Sequence, residues 1–275
     1  MSNQELSNSL DTLLNSYNTQ AAYGEQASKR EIVLDEYEKS VLLTQAQDIV
    51  LKSYFDKTLN QQGQGFDDSS RRQIDFSSLI KIAELTPVTE NIATFDERGL
   101  IYQLPRKKDE HDADIEGTTD VLFILNEKLI QVFTDTSVTP NVVSKKKEFV
   151  VVPISYKEYD REMSKAYAQP LKKQAWRLFQ NQKAGFDVST ELIPRFNVRQ
   201  STEENETVSF IYKIRYVKRP RPIVLEDFDG LDIDGISKET SCELNPILHM
   251  DILNKAVELA VATRGGAPAP SQQQQ

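Results

Sequence analysis

The chain has 275 residues, of which 39% are hydrophobic and 27% charged, with a formal net charge of −9. That length buries a substantial core as one large domain or two small ones, and a single cysteine, Cys242, excludes an intramolecular disulfide and a cysteine-rich zinc site. The acidic balance argues against a broad nucleic-acid-binding surface, because neutralising phosphates requires a basic patch, although local basic runs remain available to line a channel.

Met1 to Glu5 is polar and acidic, with no basic segment followed by an apolar one. No secretory signal is therefore expected, and the chain should stay in the cytoplasm where it is made. No stretch approaches the roughly 20 apolar residues of a bilayer span, so no membrane anchor is expected either. Leu6, Leu10, Leu13, Leu14 and Tyr17 recur at helical spacing and predict a short amphipathic helix that needs a surface to dock on. Gln20 to Lys29 lacks periodicity and reads as a flexible connection, so residues 1–30 form a flexible or docking arm.

Asp35 and Glu38 have the spacing of a capping box and predict the start of a long helix, with Tyr37, Val41, Leu42, Ile49, Val50 and Tyr54 as its apolar positions. The Gln-Gly-rich stretch Gln61 to Gly65 ends it. A second helix is predicted from Ser70 to Leu85, with Ile74, Leu79, Ile80 and Ala83 inward and Pro87 beyond its end. Residues 31–86 thus read as a helical region.

From Pro87 to residue 240 the pattern changes to β-branched and aromatic runs. Val121 to Ile124 and Leu129 to Phe133 predict two strands joined by a tight turn at Asn126-Glu127-Lys128, and Phe149 to Ile154 a further strand. Arg106 to Glu116 reads as an exposed loop. Tyr159, Met163 and Tyr167 repeat every four residues and predict a helix over Tyr156 to Tyr167. Trp176 to Phe179, Thr190 to Val198 and Thr207 to Val217 read as strands, the last alternating Val208, Phe210, Tyr212, Ile214 and Tyr216 against polar neighbours.

Asn245-Pro246 is the N-cap and first position of a terminal helix whose face carries Leu248, Ile252, Leu253, Ala256, Val257 and Ala260, with Gly265-Gly266 as its stop. Residues 241–264 are expected to pack with the N-terminal helices. The Ala-Pro and glutamine tail, residues 265–275, is too polar to order by itself. The fold class is α+β: N-terminal helices and a C-terminal helix packed with a mixed, mostly antiparallel β domain.

No catalytic constellation assembles. Glu226, Asp227, Asp229, Asp232 and Asp234 offer oxygen ligands for a hard cation, but no register places glycine sixth after acidic first, third and fifth positions, so a solvated turn is the simpler reading. His111 and His249 sit in no metal-ligand pattern, and His249 with Asp251 reads as a helix-terminus or interface pair. Gly63-Gln64-Gly65 lacks a third glycine and a following lysine, and is a loop. Lys145-Lys146-Lys147 and Lys218-Arg219-Pro220-Arg221-Pro222 are basic runs with two readings, contacts to DNA or to acidic partner surfaces, or solvated turns beside strands. The prolines of the second run predict that it leaves the sheet as an extended arm. The candidate partner-contact residues are Lys218, Arg219, Arg221, His249 and Asp251.

Four segments, in this order, resemble the ring or head-to-tail connector proteins of crAss-like phages: Leu34 to Gln47, Val152 to Tyr159 with Pro170 and Trp176-Arg177-Leu178, Tyr216 to Leu225, and Cys242 to His249 followed by Ile252, Ala256, Val257 and Ala260. The resemblance implies a non-enzymatic virion subunit in a dodecameric ring, linking portal to tail and lining the DNA channel, assembled in the bacterial cytoplasm. It implies no cofactor and no catalytic residues. Its implied partners are further copies of the chain, the portal and other connector or tail proteins, and genomic DNA in the lumen. A second hypothesis, from the acidic loop, is a calcium-binding tail or head-surface interaction module.

Overall fold

A computed structural model describes residues 1–22, 32–55, 76–88, 96–109, 111, 113–115, 118–135, 142–165, 170–180, 189–195 and 206–264. The chain divides into two units, one of Met1–Leu79, Asp109–His111 and Pro220–Gln275, the other of Ile80–Lys108 and Asp112–Arg219. The fold is α+β, as the periodicity predicts.

The first unit is helical. α1 (Asn3–Ala22) buries Leu6, Leu10 and Leu14, one residue per turn on one side. α2 (Glu36–Phe55) begins with the predicted capping box: the Asp35 carboxylate accepts the Glu38 N–H at 2.7 Å, and Glu38 accepts the Asp35 N–H at 3.4 Å. The Lys39 ammonium ties the two helices, donating to Asp11 at 2.7 Å and Glu36 at 2.8 Å. Burial works against that charge, but the two carboxylates outweigh it and hold the amine above its ordinary pKa. A 3₁₀ turn (Pro246–Leu248) leads into the terminal helix (His249–Arg264), and Asn245 caps the start by accepting the Ile247 N–H at 3.2 Å. Leu248, Ile252, Leu253, Ala256 and Ala260 are buried as predicted, against α2 and α1.

The inward face of α2 differs from the prediction. Leu43, Ala46, Val50, Leu51 and Phe55 are buried with the polar Ser40 and Gln47, whereas Ile49 is exposed. Hydrophobic period alone misplaces the face because buried polar residues share it. The helix predicted over Ser70 to Leu85 is corrected over its described part: residues 76–79 turn and Ile80–Leu85 is strand β1, while residues 70–75 lie outside the described residues. Pairing with a long neighbouring strand supplies every residue of Ile80–Leu85 a partner, which overrides local propensity.

The second unit is a seven-stranded sheet of β1, β2 (Leu100–Gln103), β3 (Val121–Asp135), β4 (Val142–Pro153), β5 (Gln174–Gln180), β6 (Ser189–Pro194) and β7 (Glu206–Lys218), in the order β1-β7-β3-β4-β5-β6-β2. Among the described strands only the β4 and β5 pair is parallel. The turn predicted at Asn126-Glu127-Lys128 does not form: β3 runs through it, and register shifts between Val121 and Phe123 and between Ile124 and Asn126 absorb the irregularity as bulges along β7. Asn126, Glu127 and Lys128 pair with Arg215, Ile214 and Lys213 of β7, and that ladder overrides their turn propensity.

The sheet curls until its ends meet. Tyr102 of β2 and Tyr212 of β7 lie with ring centroids 5.3 Å apart, and the Val88 N–H just after β1 donates to the Ile101 carbonyl of β2 at 2.8 Å. Phe210, Tyr212, Ile214 and Tyr216, the predicted inward face of β7, join Tyr102, Leu129, Phe149, Val151, Ala175 and Leu192 inside the curl. Outside it, α3 (Tyr156–Met163) covers Trp176, Leu178 and Ile193 with Tyr159. Ser155 and Glu158 form its capping box, and it ends at Ser164, short of the predicted Tyr167, which lies outside the described residues. Residues 23–30, Gly63-Gln64-Gly65, Val198 and the tail from Gly265 also lie outside them.

Candidate assembly surfaces

The sequence-predicted contacts are best judged by where the Pro-Arg segment goes. β7 ends at Lys218, so the chain does leave the sheet there, with the Arg219 N–H donating to the Asp120 carbonyl at 2.7 Å. It does not become an exposed arm. Pro220 and Pro222 are buried, and Arg221 to Leu225 runs along α2 against a row of polar side chains one turn apart. Gln47 donates to the Arg221 carbonyl at 2.9 Å, Thr44 accepts the Ile223 N–H at 3.0 Å, and Ser40 accepts the Leu225 N–H at 3.0 Å. Glu243 accepts the Arg221 N–H at 3.2 Å and Thr240 the Val224 N–H at 3.2 Å. A segment with two prolines cannot join a ladder fully, and here side chains replace the missing strand. The i, i+4, i+7 spacing of Ser40, Thr44 and Gln47 is the signal that sequence reading missed.

The other candidates separate. His249 is 3% exposed, with Nε2 3.1 Å from the Leu244 carbonyl and Nδ1 3.3 Å from the Met1 nitrogen. Burial lowers its pKa below the ordinary imidazole value. Asp251 is exposed and accepts from the Tyr54 hydroxyl at 3.2 Å. His249 and Asp251 both lie in the first turn of the terminal helix and make separate contacts, His249 buried and Asp251 exposed. Asp251 instead belongs to an outer stripe of Ile247, Met250, Asn254 and Glu258, all exposed. Arg219 and Arg221 are half-buried. Cys242 is half-buried with its thiol 3.4 Å from the Gln47 side-chain oxygen, and burial pushes its pKa up, away from thiolate chemistry.

Two buried polar clusters lie in the sheet unit. Asp96 accepts from both Arg98 and the Tyr159 hydroxyl, the latter at 2.6 Å, and its N–H donates to the fully buried Glu191 at 3.0 Å. Burial opposes the Asp96 charge, yet those donors hold its pKa at about 2, while Tyr159 is pushed to about 12. Inside the curl, Glu127 accepts from Tyr212 at 2.6 Å and lies 3.5 Å from the Arg177 guanidinium. Burial raises the Glu127 pKa, with Arg177 opposing. The first cluster joins the loop before β2 to α3 and β6, and the second joins β3, β5 and β7. Their role is to fix strand positions.

The acidic loop stands outside any metal geometry: among the described residues no group of three or more His, Cys, Asp or Glu is placed to hold an ion. Asp227 accepts the Glu239 N–H at 2.6 Å and Asp232 the Gly235 N–H at 3.0 Å. Asp234 and Gly235, with φ of 55° and 80°, form a tight turn between the bridged Ile233 and Ile236, which are buried on Val224. Lys145, Lys146 and Lys147 lie within β4, paired with Phe133, Val132 and Gln131, and not in a turn as one reading had it.

Residues 1–270 match the family described as phage tail ring protein 3/4. The chain belongs to that family. It is 38% identical over 271 residues to ring protein 4/5 of Bacteroides phage crAss001, covering 97% of this chain and 94% of the relative. It is 27% identical over 268 residues to ring protein 3 of the same phage, covering 96% of each. The expected crAss-like ring resemblance holds over nearly the whole chain. For a ring protein the informative surfaces are the exposed ones, namely the outer stripe of the terminal helix, the acidic loop and the lysines of β4.

Proposed function

We propose that this chain is a non-catalytic structural subunit of the virion, repeated as a dodecameric ring in the head-to-tail connector, where it links portal to tail and lines the DNA channel. The observation that carries the reading is the ring-family match across residues 1–270. Its physical support is that a chain presenting different surfaces to successive neighbours closes into a ring when the rotation is right. The buried polar clusters suit such a subunit, since they fix a sheet rigidly without building a reacting centre. Subunits are made and assembled in the bacterial cytoplasm and carried in the particle. Copies of the chain, the portal and adjoining connector or tail proteins are the partners, with genomic DNA passing through the lumen. Asp251 contacts a neighbour from the outer helix stripe, and Lys218, Arg219 and Arg221 mark the strand-to-helix passage near such contacts.

Mass photometry of the purified chain, together with labelling of the subunit in disrupted virions, tests this. A discrete species of about twelve copies and label at the portal end of the tail are expected. A chain that stays monomeric at every concentration and is absent from particles overturns the reading.

A further inference from the structure

The longest unpartnered strand edge among the described residues belongs to β4. This strand pairs with β3 from Val142 to Val150, but β5 pairs with it only from Val150 to Pro153. Along Val142 to Phe149 one edge therefore has no strand partner among the described residues. Such an edge presents bare N–H and C=O groups, a template for another chain that proteins blunt with lysine. Here Lys145, Lys146 and Lys147 are consecutive and exposed, with Val143 49% exposed beside them. Strand alternation sends Lys146 to one face and Lys145 and Lys147 to the other, with the Lys147 ammonium 4.7 Å from the centre of the Phe133 ring on β3.

We propose that this edge is one half of the contact between neighbouring copies, and that the Glu226 to Asp234 loop of the adjacent copy is the other half. The proposal rests on the ring reading above and adds the surfaces that meet. In that loop Glu226, Asp227, Asp229, Asp232 and Asp234 are all exposed, with Leu231 50% exposed among them. Its base is fixed by the buried Ile233 and Ile236 and by the backbone contacts of Asp227 and Asp232, so little ordering entropy opposes docking. Glu226 and Asp229 take no ion partner among the described residues.

Charge and shape select this pairing. Copies with a net charge of −9 repel one another overall, so a contact between them needs a basic patch facing an acidic one. An edge-to-edge contact of β4 with itself would oppose lysine to lysine. The edge and the loop are different patches on one chain, which makes the contact heterologous, the kind that propagates around a ring. Val143 finds an apolar counterpart in Leu231. Duplex DNA would satisfy the lysines and bare N–H groups but neither Val143 nor the strand's bare carbonyls.

Charge exchange tests the proposal in the full chain. Lys145→Glu/Lys146→Glu/Lys147→Glu, and separately Glu226→Lys/Asp229→Lys, should each raise the concentration for half-assembly at least about tenfold, with unchanged thermal melts. A chain carrying all five substitutions, and an equimolar mixture of the two variants, should recover assembly, because opposite charges again face one another. Rings that form normally from either variant overturn the proposal and leave the ring reading standing. So does a lysine variant that keeps its rings but loses duplex DNA binding, and so does failure of the exchange to restore assembly in variants that melt normally. A wild-type chain that never assembles overturns both readings.

Discussion

The ring of Tyr102 lies 5.3 Å from that of Tyr212, although four strands separate β2 from β7 in hydrogen-bonded order. This contact closes the curl across its interior, and the Tyr212 hydroxyl continues it to the Glu127 carboxylate. Tyr102→Ala removes a fully buried ring and should cost about 3–5 kcal/mol. Tyr212→Phe keeps the ring but strips a donor from a buried carboxylate, for about 1–3 kcal/mol. Chemical denaturation of the two variants measures both, and a Tyr102→Ala loss under about 1 kcal/mol would show that the ends of the sheet are held elsewhere.

Gly99 should tolerate no side chain. A Cβ there would stand 1.8 Å from the Glu191 carboxylate oxygen and 2.9 Å from the Asp96 carbonyl. Glu191 is fully buried and holds the Asp96 N–H, so it cannot swing aside without leaving that donor unpaired. Gly99→Ala is expected to destabilise by about 1–3 kcal/mol, read as a lowered melting temperature.

Asp96 predicts an acid transition. Its folded pKa of about 2 lies below the ordinary 3.8, so the unfolded chain binds its proton first as pH falls. Its stabilisation is present above about pH 4 and is lost as pH drops toward 2. Asp96→Asn should be less stable than wild type at neutral pH, with the difference shrinking across that window in urea titrations.

His249 acts in a higher range. Burial lowers its folded pKa, so the unfolded chain takes up a proton before the folded one does. Stability is greatest above the ordinary 6.5 and declines as pH falls below it. His249→Gln should flatten the dependence between about pH 7 and 5, and an unchanged slope would assign that dependence to other groups.

The row of Ser40, Thr44 and Gln47 predicts a cost for an apolar substitution in a helix. Thr44→Val preserves shape but leaves the Ile223 N–H without its acceptor, and Ile223 is fully buried. A loss of about 1–3 kcal/mol is expected, although valine is the more apolar residue. Hydrogen exchange at the Ile223 amide reports the same change locally.

The amino-acid order determined much of this molecule. The capping box at Asp35, the Asn245 cap and the alternation of β7 are local patterns, set by near neighbours or by a period of two, and they hold in the structure. The ring-family resemblance was equally legible, because it is a property of residue order. What needed tertiary structure was everything decided by a distant partner. Ile80–Leu85 has helical spacing but becomes a strand because β7 offers it a full edge. Asn126 to Lys128 is polar enough for a turn but stays extended because β7 continues alongside it. Lys218 to Pro222 reads as an extended arm, and only the fold shows that Arg221 to Leu225 is held by side chains of α2 from residues some 180 positions earlier. The lysines of β4 were visible from the start, but their position on a bare edge depends on how far β5 extends, and a chain cannot announce where its neighbouring strand will stop.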